Sequence, residues 1–353
     1  LAVCRSTGHG QFVVPLQVAR IWGLVMSGRL APAAECLDEA VKAARSGGMV
    51  KMVAICQALD CMRAIEAGDL SAAIRAGRES VELYRLLDEE TPKTDASIFL
   101  GIALVDSGDT QEGKVIILFS AGGTALPKAR RHIKARAFEA LARAELSVGD
   151  VGAAEAWIRR AFEIPGFGEL PIERGTAMRA QAAVLLAKGE AGEAAEIALA
   201  AAELAHDAGS PIEAARSRIV AGRALAKDQR RDYAIAQFQK AEEALTRCDA
   251  IQLRDGVLKD LRHLGVRRRP SSPTEWGLGS LTEREIQIAR MVAEGKTNKQ
   301  IALACFLSEK TIEANLSHVF RKLGVSSRAE VAALTPTMDA GEAPRARYAI
   351  RGP

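Results

Sequence analysis

The chain has 353 residues, room for about two domains of roughly 150 residues each with sizeable cores, which excludes a peptide or a disulfide mini-scaffold. Apolar residues make up 48% and charged residues 26%, an ordinary globular composition, and the longest apolar runs, such as Val115 to Phe119, fall far short of the roughly 20 residues of a membrane span, so no membrane partner is expected. The net charge of +4 is too weakly basic to establish a nucleic-acid partner by itself.

The N-terminus opens Leu1-Ala2-Val3-Cys4, without methionine and without a charged-then-apolar leader, which reads as a fragment of something longer with no secretory peptide. Six cysteines (Cys4, Cys36, Cys56, Cys61, Cys248, Cys305) form no C-x-x-C and have no neighbouring His at zinc-ligand spacing. Reduced thiols in a cytoplasmic protein are expected.

Aromatic residues are only 4%, and Ala, Leu, Glu and Arg dominate, so almost everything reads as helix. A turn phrase recurs at Ser27-Gly28-Arg29-Leu30, Ala67-Gly68-Asp69-Leu70, Ser107-Gly108-Asp109-Thr110, Val148-Gly149-Asp150-Val151 and Lys188-Gly189-Glu190-Ala191. Its glycines are spaced by 40, 40, 41 and 40 residues, and Lys227-Asp228-Gln229 is a degenerate sixth copy. Each phrase follows an apolar helical stretch and precedes an Ala-rich one. The glycine ends the first helix in the left-handed region, and the acidic residue after it favours the start of the next. The unit is a helical hairpin, and hairpins of this kind stack because none buries its apolar face alone.

Residues 1 to 265 are therefore predicted to be an all-α domain, an α-solenoid that resembles tetratricopeptide repeats with lengthened helices, although the Trp, Tyr and Pro signature positions of that repeat are not evident. An irregular helical bundle is the alternative. Gln252 to Leu264 is expected to form a polar cap on the array. The basic Pro/Ser stretch Arg267-Arg268-Arg269-Pro270-Ser271-Ser272-Pro273 cannot continue a helix, so residues 266–280 read as a linker.

Residues 281–336 show the punctuation of four short helices. Thr282-x-x-Glu285 is a capping box, with Leu281 and Ile286 as a hydrophobic staple, and that helix stops at Gly295. Thr297-x-x-Gln300 boxes the second helix, Ser308 caps the third, which ends at Gly324, and Ser327-x-x-Glu330 boxes the fourth before Pro336. On the third helix Ile312, Leu316, Val319, Phe320 and Leu323 share one side, the core face. Lys310, Ala314, Ser317 and Arg321 share the other, small in the middle and basic at the ends, which suits a nucleic-acid groove with cations reaching phosphates. Helices two and three make a helix-turn-helix, whose second helix enters the major groove. Residues 337–353 are expected to be a disordered tail.

Here the residues carry a family resemblance. Leu281-Thr282-x-Arg284-Glu285, Val292-Ala293-Glu294-Gly295, Asn298-Lys299-x-Ile301-Ala302, Leu307-Ser308-x-Lys310-Thr311-Ile312, Arg321-Lys322-Leu323-Gly324-Val325 and Ser327-Arg328-Ala329-Glu330 resemble the LuxR-type DNA-binding domain. Thr311-Ile312-Glu313-Ala314-Asn315-Leu316 is similar to the large ATP-binding LuxR regulators, in which a helical repeat array precedes that domain. The resemblance implies base reading by Glu313, Ala314 and Ser317. It implies backbone contacts by Asn298, Lys299, Lys310, Thr311, Arg321, Lys322 and Arg328. It also makes Arg328 to Leu334 a dimerisation helix. Glu313 and Asn315 stand where several members place Lys and His, so base preference does not carry over. Glu313 either accepts from cytosine N4 or pairs with a neighbouring cation on a solvated face.

Other signals are weaker. Gly108-x-x-x-x-Gly113-Lys114 begins like a phosphate-binding loop, but Val115 replaces the required hydroxyl and a helix, not a strand, precedes it. Five histidines (His9, His132, His206, His263, His318) are scattered, and Trp22 and Trp157 read as packing residues. No metal site, cofactor or nucleophile arrangement is expected, and the chain reads as a non-enzyme. The leading expectation is a regulator that binds double-stranded DNA as a homodimer, with a protein or small-molecule effector on the solenoid and RNA polymerase as a further contact. The alternative is a protein-docking scaffold tethered to DNA by the helix-turn-helix.

Overall fold

The computed structural model describes residues 13–163, 170–266 and 283–305, together with 309, 312–313, 315–316, 319–320, 325, 327–328 and 330–331. Among the described residues there are helices and no strand, and the chain divides into two compact units on either side of Val266. The described residues of the first unit form six helical hairpins and a final helix: α1 (Val13–Met26) with α2 (Leu30–Ser46), α3 (Val50–Ala67) with α4 (Leu70–Leu86), α5 (Glu90–Ser107) with α6 (Thr110–Ala121), α7 (Arg131–Ser147) with α8 (Val151–Phe162), α9 (Pro171–Lys188) with α10 (Ala191–Asp207), α11 (Pro211–Lys227) with α12 (Arg231–Arg247), and α13 (Ile251–His263).

The turn phrase does what its chemistry predicts. At Gly68 (φ +81°) the amide N–H donates to the Ile65 carbonyl at 3.1 Å and that of Asp69 to the Ala64 carbonyl at 2.9 Å, a Schellman ending. The Asp69 carboxylate then accepts from the Ala72 N–H at 3.1 Å, and Asp150 does the same for Ala153 at 2.8 Å, capping the next helix. The degenerate copy keeps the geometry without glycine. Gln229 adopts φ +61°, and the Arg230 N–H reaches the Leu225 carbonyl at 2.9 Å. Between the predicted turns lies a second set, with left-handed residues at Gly48, Asp88, Gly209 and Asp249. Two of these are aspartates, so the sequence phrase marked only alternate turns of an array that reverses about every 20 residues.

Helices of the two positions in the hairpin behave differently. The first helices, α1, α3, α5, α7, α9 and α11, pack on one another in succession as well as on their own partners, forming the inner layer. Burial is deepest in the middle of this layer: every residue of α5 from Thr94 to Val105 is buried. Second helices form the outer layer and bury one stripe, as α10 does with Ala194, Ala195, Ala198, Ala201, Ala202 and Ala205.

The array curls until its end meets its beginning. Leu30 and Ala67 share a core cluster with Ile212, Leu225, Cys248, Val257 and Leu261. A Cβ on Gly68 would stand 2.9 Å from the Leu253 amide nitrogen, and the Arg216 guanidinium donates to the Ile65 carbonyl at 2.8 Å. The helix expected to cap the array, α13, buries Val257 and Leu261, keeps Gln252, Asp255, Lys259, Arg262 and His263 exposed, and abuts α3.

Buried charges cross the inner layer. Arg179 donates through Nε and Nη2 to both oxygens of Glu139, and through Nη1 to Glu213, each at 2.7 Å. Arg136 pairs with Glu66 and, at 3.3 Å, with Glu213, while Arg216 lies 3.7 Å from Glu66 and 3.9 Å from Glu213. Burial works to raise the pKa of Glu139 and Glu213, but the charge of Arg179, joined at Glu213 by Arg136 and Arg216, outweighs it and holds both below the usual carboxylate value. Burial works against the guanidinium charge of Arg179 and Arg136, and the facing carboxylates raise both nonetheless.

The remaining sequence signals resolve simply. Lys114 of the apparent phosphate loop pairs with Glu145, which also accepts from the Trp157 indole N–H at 3.1 Å. Trp157 is buried packing, whereas Trp22 stays 39% exposed, so only the first fits the packing expectation fully. Cys36, Cys56, Cys61, Cys248 and Cys305 are buried free thiols, and burial pushes Cys56 up to about 11. Cys4 lies outside the described residues.

Candidate nucleic-acid interface

The second unit begins with α14 (Glu283–Ala293), which ends as predicted at Gly295 (φ +78°). The Gly295 N–H donates to Val292 and the Lys296 N–H to Met291, both at 3.0 Å, again a Schellman ending. The capping box of α15 (Asn298–Cys305) is complete: the Thr297 N–H donates to the Gln300 side chain at 2.8 Å, and the Gln300 N–H to the Thr297 hydroxyl at 3.3 Å. In the last box the Glu330 N–H donates to the Ser327 hydroxyl at 3.3 Å. Thr282 and Ser308, the other two expected caps, lie outside the described residues.

Residues 309, 312–313, 315–316 and 319–320 are helical and belong to the third helix of the module. Ile312, Leu316 and Val319 are buried with Ile288, Ala289, Val292, Ile301 and Cys305, and Phe320 packs against that cluster. This is the core face predicted from helical spacing; its fifth member, Leu323, is not among the described residues. Glu313 is exposed, as is Glu309, because a helix that buries 312, 316 and 319 turns the intervening positions outward.

The candidate contact residues divide as follows. Lys299 is exposed at the start of α15. Asn298 and Arg328 are half-buried and face each other: Nη1 of Arg328 donates to Oδ1 of Asn298 at 2.9 Å, and Nη2 donates to the Lys296 carbonyl. Arg328 thereby ties the fourth helical segment to the turn before α15, a joint spanning 30 residues that no local pattern reveals. Of the base-reading set Glu313 is described, while Ala314 and Ser317 fall outside the described residues, as do Lys310, Thr311, Arg321 and Lys322. The dimerisation segment is described only at Arg328, Glu330 and Val331, the last of them buried. The described residues contain no cluster of His, Cys, Asp or Glu able to hold a metal, and no helix long and apolar enough to cross a membrane.

Residues 279–335 match the family described as bacterial regulatory proteins, luxR family. The C-terminal region is 38% identical over 82 residues to a putative HTH-type transcriptional regulator of Mycobacterium tuberculosis, covering 23% of this chain and 9% of that protein. It is 40% identical over 76 residues to the transcriptional regulatory protein LiaR of Bacillus subtilis, covering 22% and 33%. A nitrate/nitrite response regulator protein homolog of Haemophilus influenzae is 47% identical over 51 residues, 14% and 24% of the two chains. The chain thus spans less than a tenth of the mycobacterial relative's length, and these likenesses lie in the C-terminal region. With its capped helices, its buried third-helix face and this match, the C-terminal segment is a LuxR-family helix-turn-helix domain.

Proposed function

We propose that the chain is a sequence-specific DNA-binding transcription regulator whose helical-repeat unit receives an effector and whose helix-turn-helix binds a promoter as a dimer. The observation that carries it is the third helix of the C-terminal unit, which buries Ile312, Leu316 and Val319 and leaves Glu313 outward, within a segment matched to the LuxR family. Affinity would come mostly from phosphate contacts and fall steeply with salt. Specificity would come from Ala314 and Ser317, short residue types that suit close approach to base edges, and from Glu313. The segment 328–334 would pair two copies, and RNA polymerase would be the further contact of a promoter-bound dimer.

Retention of genomic DNA fragments at two salt concentrations, followed by sequencing, tests this reading. Enrichment of a short inverted repeat at the higher salt is expected. Lys310→Ala should weaken binding to every sequence, and Ala314→Glu should abolish it by setting a carboxylate against the groove. Gel shifts with either variant unaffected refute the assignment. A second reading, a docking scaffold tethered to DNA, draws support from Val115 and Phe119, 54% and 86% exposed and one turn apart on α6. Co-purification of a stable partner that Phe119→Ser releases would favour it.

A further inference from the structure

The bore of the helical-repeat unit contains a cavity of about 340 Å³, inside the span of roughly 300–1,000 Å³ typical of small-molecule sites. Its wall comes from the inner helices: Trp22 and Met26 from α1, Met62 from α3, Phe99 from α5, His132 from α7 and Glu173 from the first turn of α9. Trp22 and His132 meet edge to face, with ring centroids 6.1 Å apart. Burial, and then the charge of Arg130, lowers the pKa of His132 and favours its neutral ring. Both Trp22 and Met26 keep more than a third of their surface exposed although they belong to the inner layer.

The charged groups on this wall are not equally well paired. Glu66, Glu139 and Glu213 face Arg136, Arg179 and Arg216, so the buried network is neutral. Glu173 stands outside it. Its side chain is 5% exposed, its Oε1 has no hydrogen-bond partner among the described residues, and its Oε2 accepts at 3.4 Å from Arg131, which is itself 41% exposed. Its place in the first turn of α9 lets the helix macrodipole offset part of the charge, but supplies no donor to Oε1. A buried carboxylate with one oxygen left without a donor is costly, and a ligand that brings an N–H and a positive charge to that oxygen reduces the cost. Aromatic faces beside it favour the same ligand through attraction of a cation to the ring.

We propose that the bore is a binding site for a small organic cation, an ammonium on an aromatic body, with the body against Trp22, Met26, Met62 and Phe99 and the ammonium on Glu173. This gives the effector of the sensor reading a chemical class, and it rests on that reading for its consequence at DNA.

Calorimetric titration of the full chain tests it, with phenethylamine as probe and 2-phenylethanol and 3-phenylpropionate as its neutral and anionic counterparts. Phenethylamine should bind saturably, one per chain, about tenfold tighter or more than either counterpart, since one charge-assisted contact is worth that much. Glu173→Gln should reduce it to the level of the alcohol. Ala135→Phe, which fills the bore, should remove binding of all three; if that variant fails to fold, Met26→Trp at its half-exposed position serves instead. No binding by any of the three, no preference for the amine, or an unchanged preference in Glu173→Gln overturns the proposal. Promoter binding separates the two readings. An amine that occupies the bore without altering DNA affinity refutes the sensor reading and leaves the site standing. An effector that alters DNA affinity regardless of Glu173→Gln and bore filling refutes the site and leaves the sensor reading standing.

Discussion

Arg179→Met removes the centre of the buried charge network. The Arg179 side chain is 5% exposed, and its loss deprives Glu139 of both its short hydrogen bonds and Glu213 of one of its three cationic neighbours. Breaking a buried pair from one side costs about 3–5 kcal/mol, because a charge is left without compensation. At about 2–4 °C per kcal/mol for a unit of this size, the melting transition of the repeat unit should fall by roughly 6–20 °C at neutral pH. The pH dependence carries the sharper test. In the parent protein Glu139 and Glu213 are held below the ordinary value of 4.5, so their contribution is complete above that pH and is lost as pH falls through their folded values. In the variant, burial at Glu139 is opposed only by the weaker influence of Arg143, so its pKa rises and the group takes up a proton more readily. The deficit of the variant should therefore be greatest near pH 7 and narrow as the pH drops below about 5. Scanning calorimetry of parent and variant from pH 7 down to about pH 3 provides the comparison, with Glu139→Gln/Arg179→Met expected to recover part of the loss. A melting point within about 2 °C of the parent, or a deficit that does not change with pH, would refute the reasoning.

Gly68→Ala and Gly189→Ala both force a side chain into left-handed backbone, at φ +81° and +90°, but only at Gly68 does the new Cβ also meet the Leu253 backbone, at 2.9 Å. Chemical denaturation should show Gly189→Ala costing about 1 kcal/mol and Gly68→Ala clearly more, and equal losses would argue against closure of the array. Arg328→Ala removes two half-buried hydrogen bonds to Asn298 and the Lys296 carbonyl and should destabilise the C-terminal unit by about 1–3 kcal/mol, measured by its melting. Lys299→Ala touches an exposed side chain and should leave that melting unchanged while lowering the salt slope of DNA binding by about 1 in log–log form; a slope equal to the parent's excludes a phosphate contact.

Relations between near neighbours in the chain were legible in the amino-acid sequence itself. The 40-residue turn phrase identified the hairpins because glycine is the residue that best tolerates the left-handed ending, and Asp69 and Asp150 announced the caps they make. Alternate turns at Asp88 and Asp249 escaped notice because an aspartate there looks like any other. Thr297-x-x-Gln300, Gly295 and the spacing of Ile312, Leu316 and Val319 defined the helix-turn-helix, since capping and amphipathic burial act over three or four residues.

Contacts between distant residues belonged to the tertiary structure. The meeting of Gly68 with Leu253 depends on the small rotation added at each hairpin, a sum over six repeats that no single repeat encodes. The joining of Arg136, Arg179 and Arg216 to Glu66, Glu139 and Glu213 follows from that curl, as does the cavity beside Glu173. In the linear sequence these are seven charges among many on helices that look half-polar. Wound into an inner layer they lose their water, and burial is what turns surface-like residues into a neutral lattice with Glu173 beside it, held at one oxygen by Arg131.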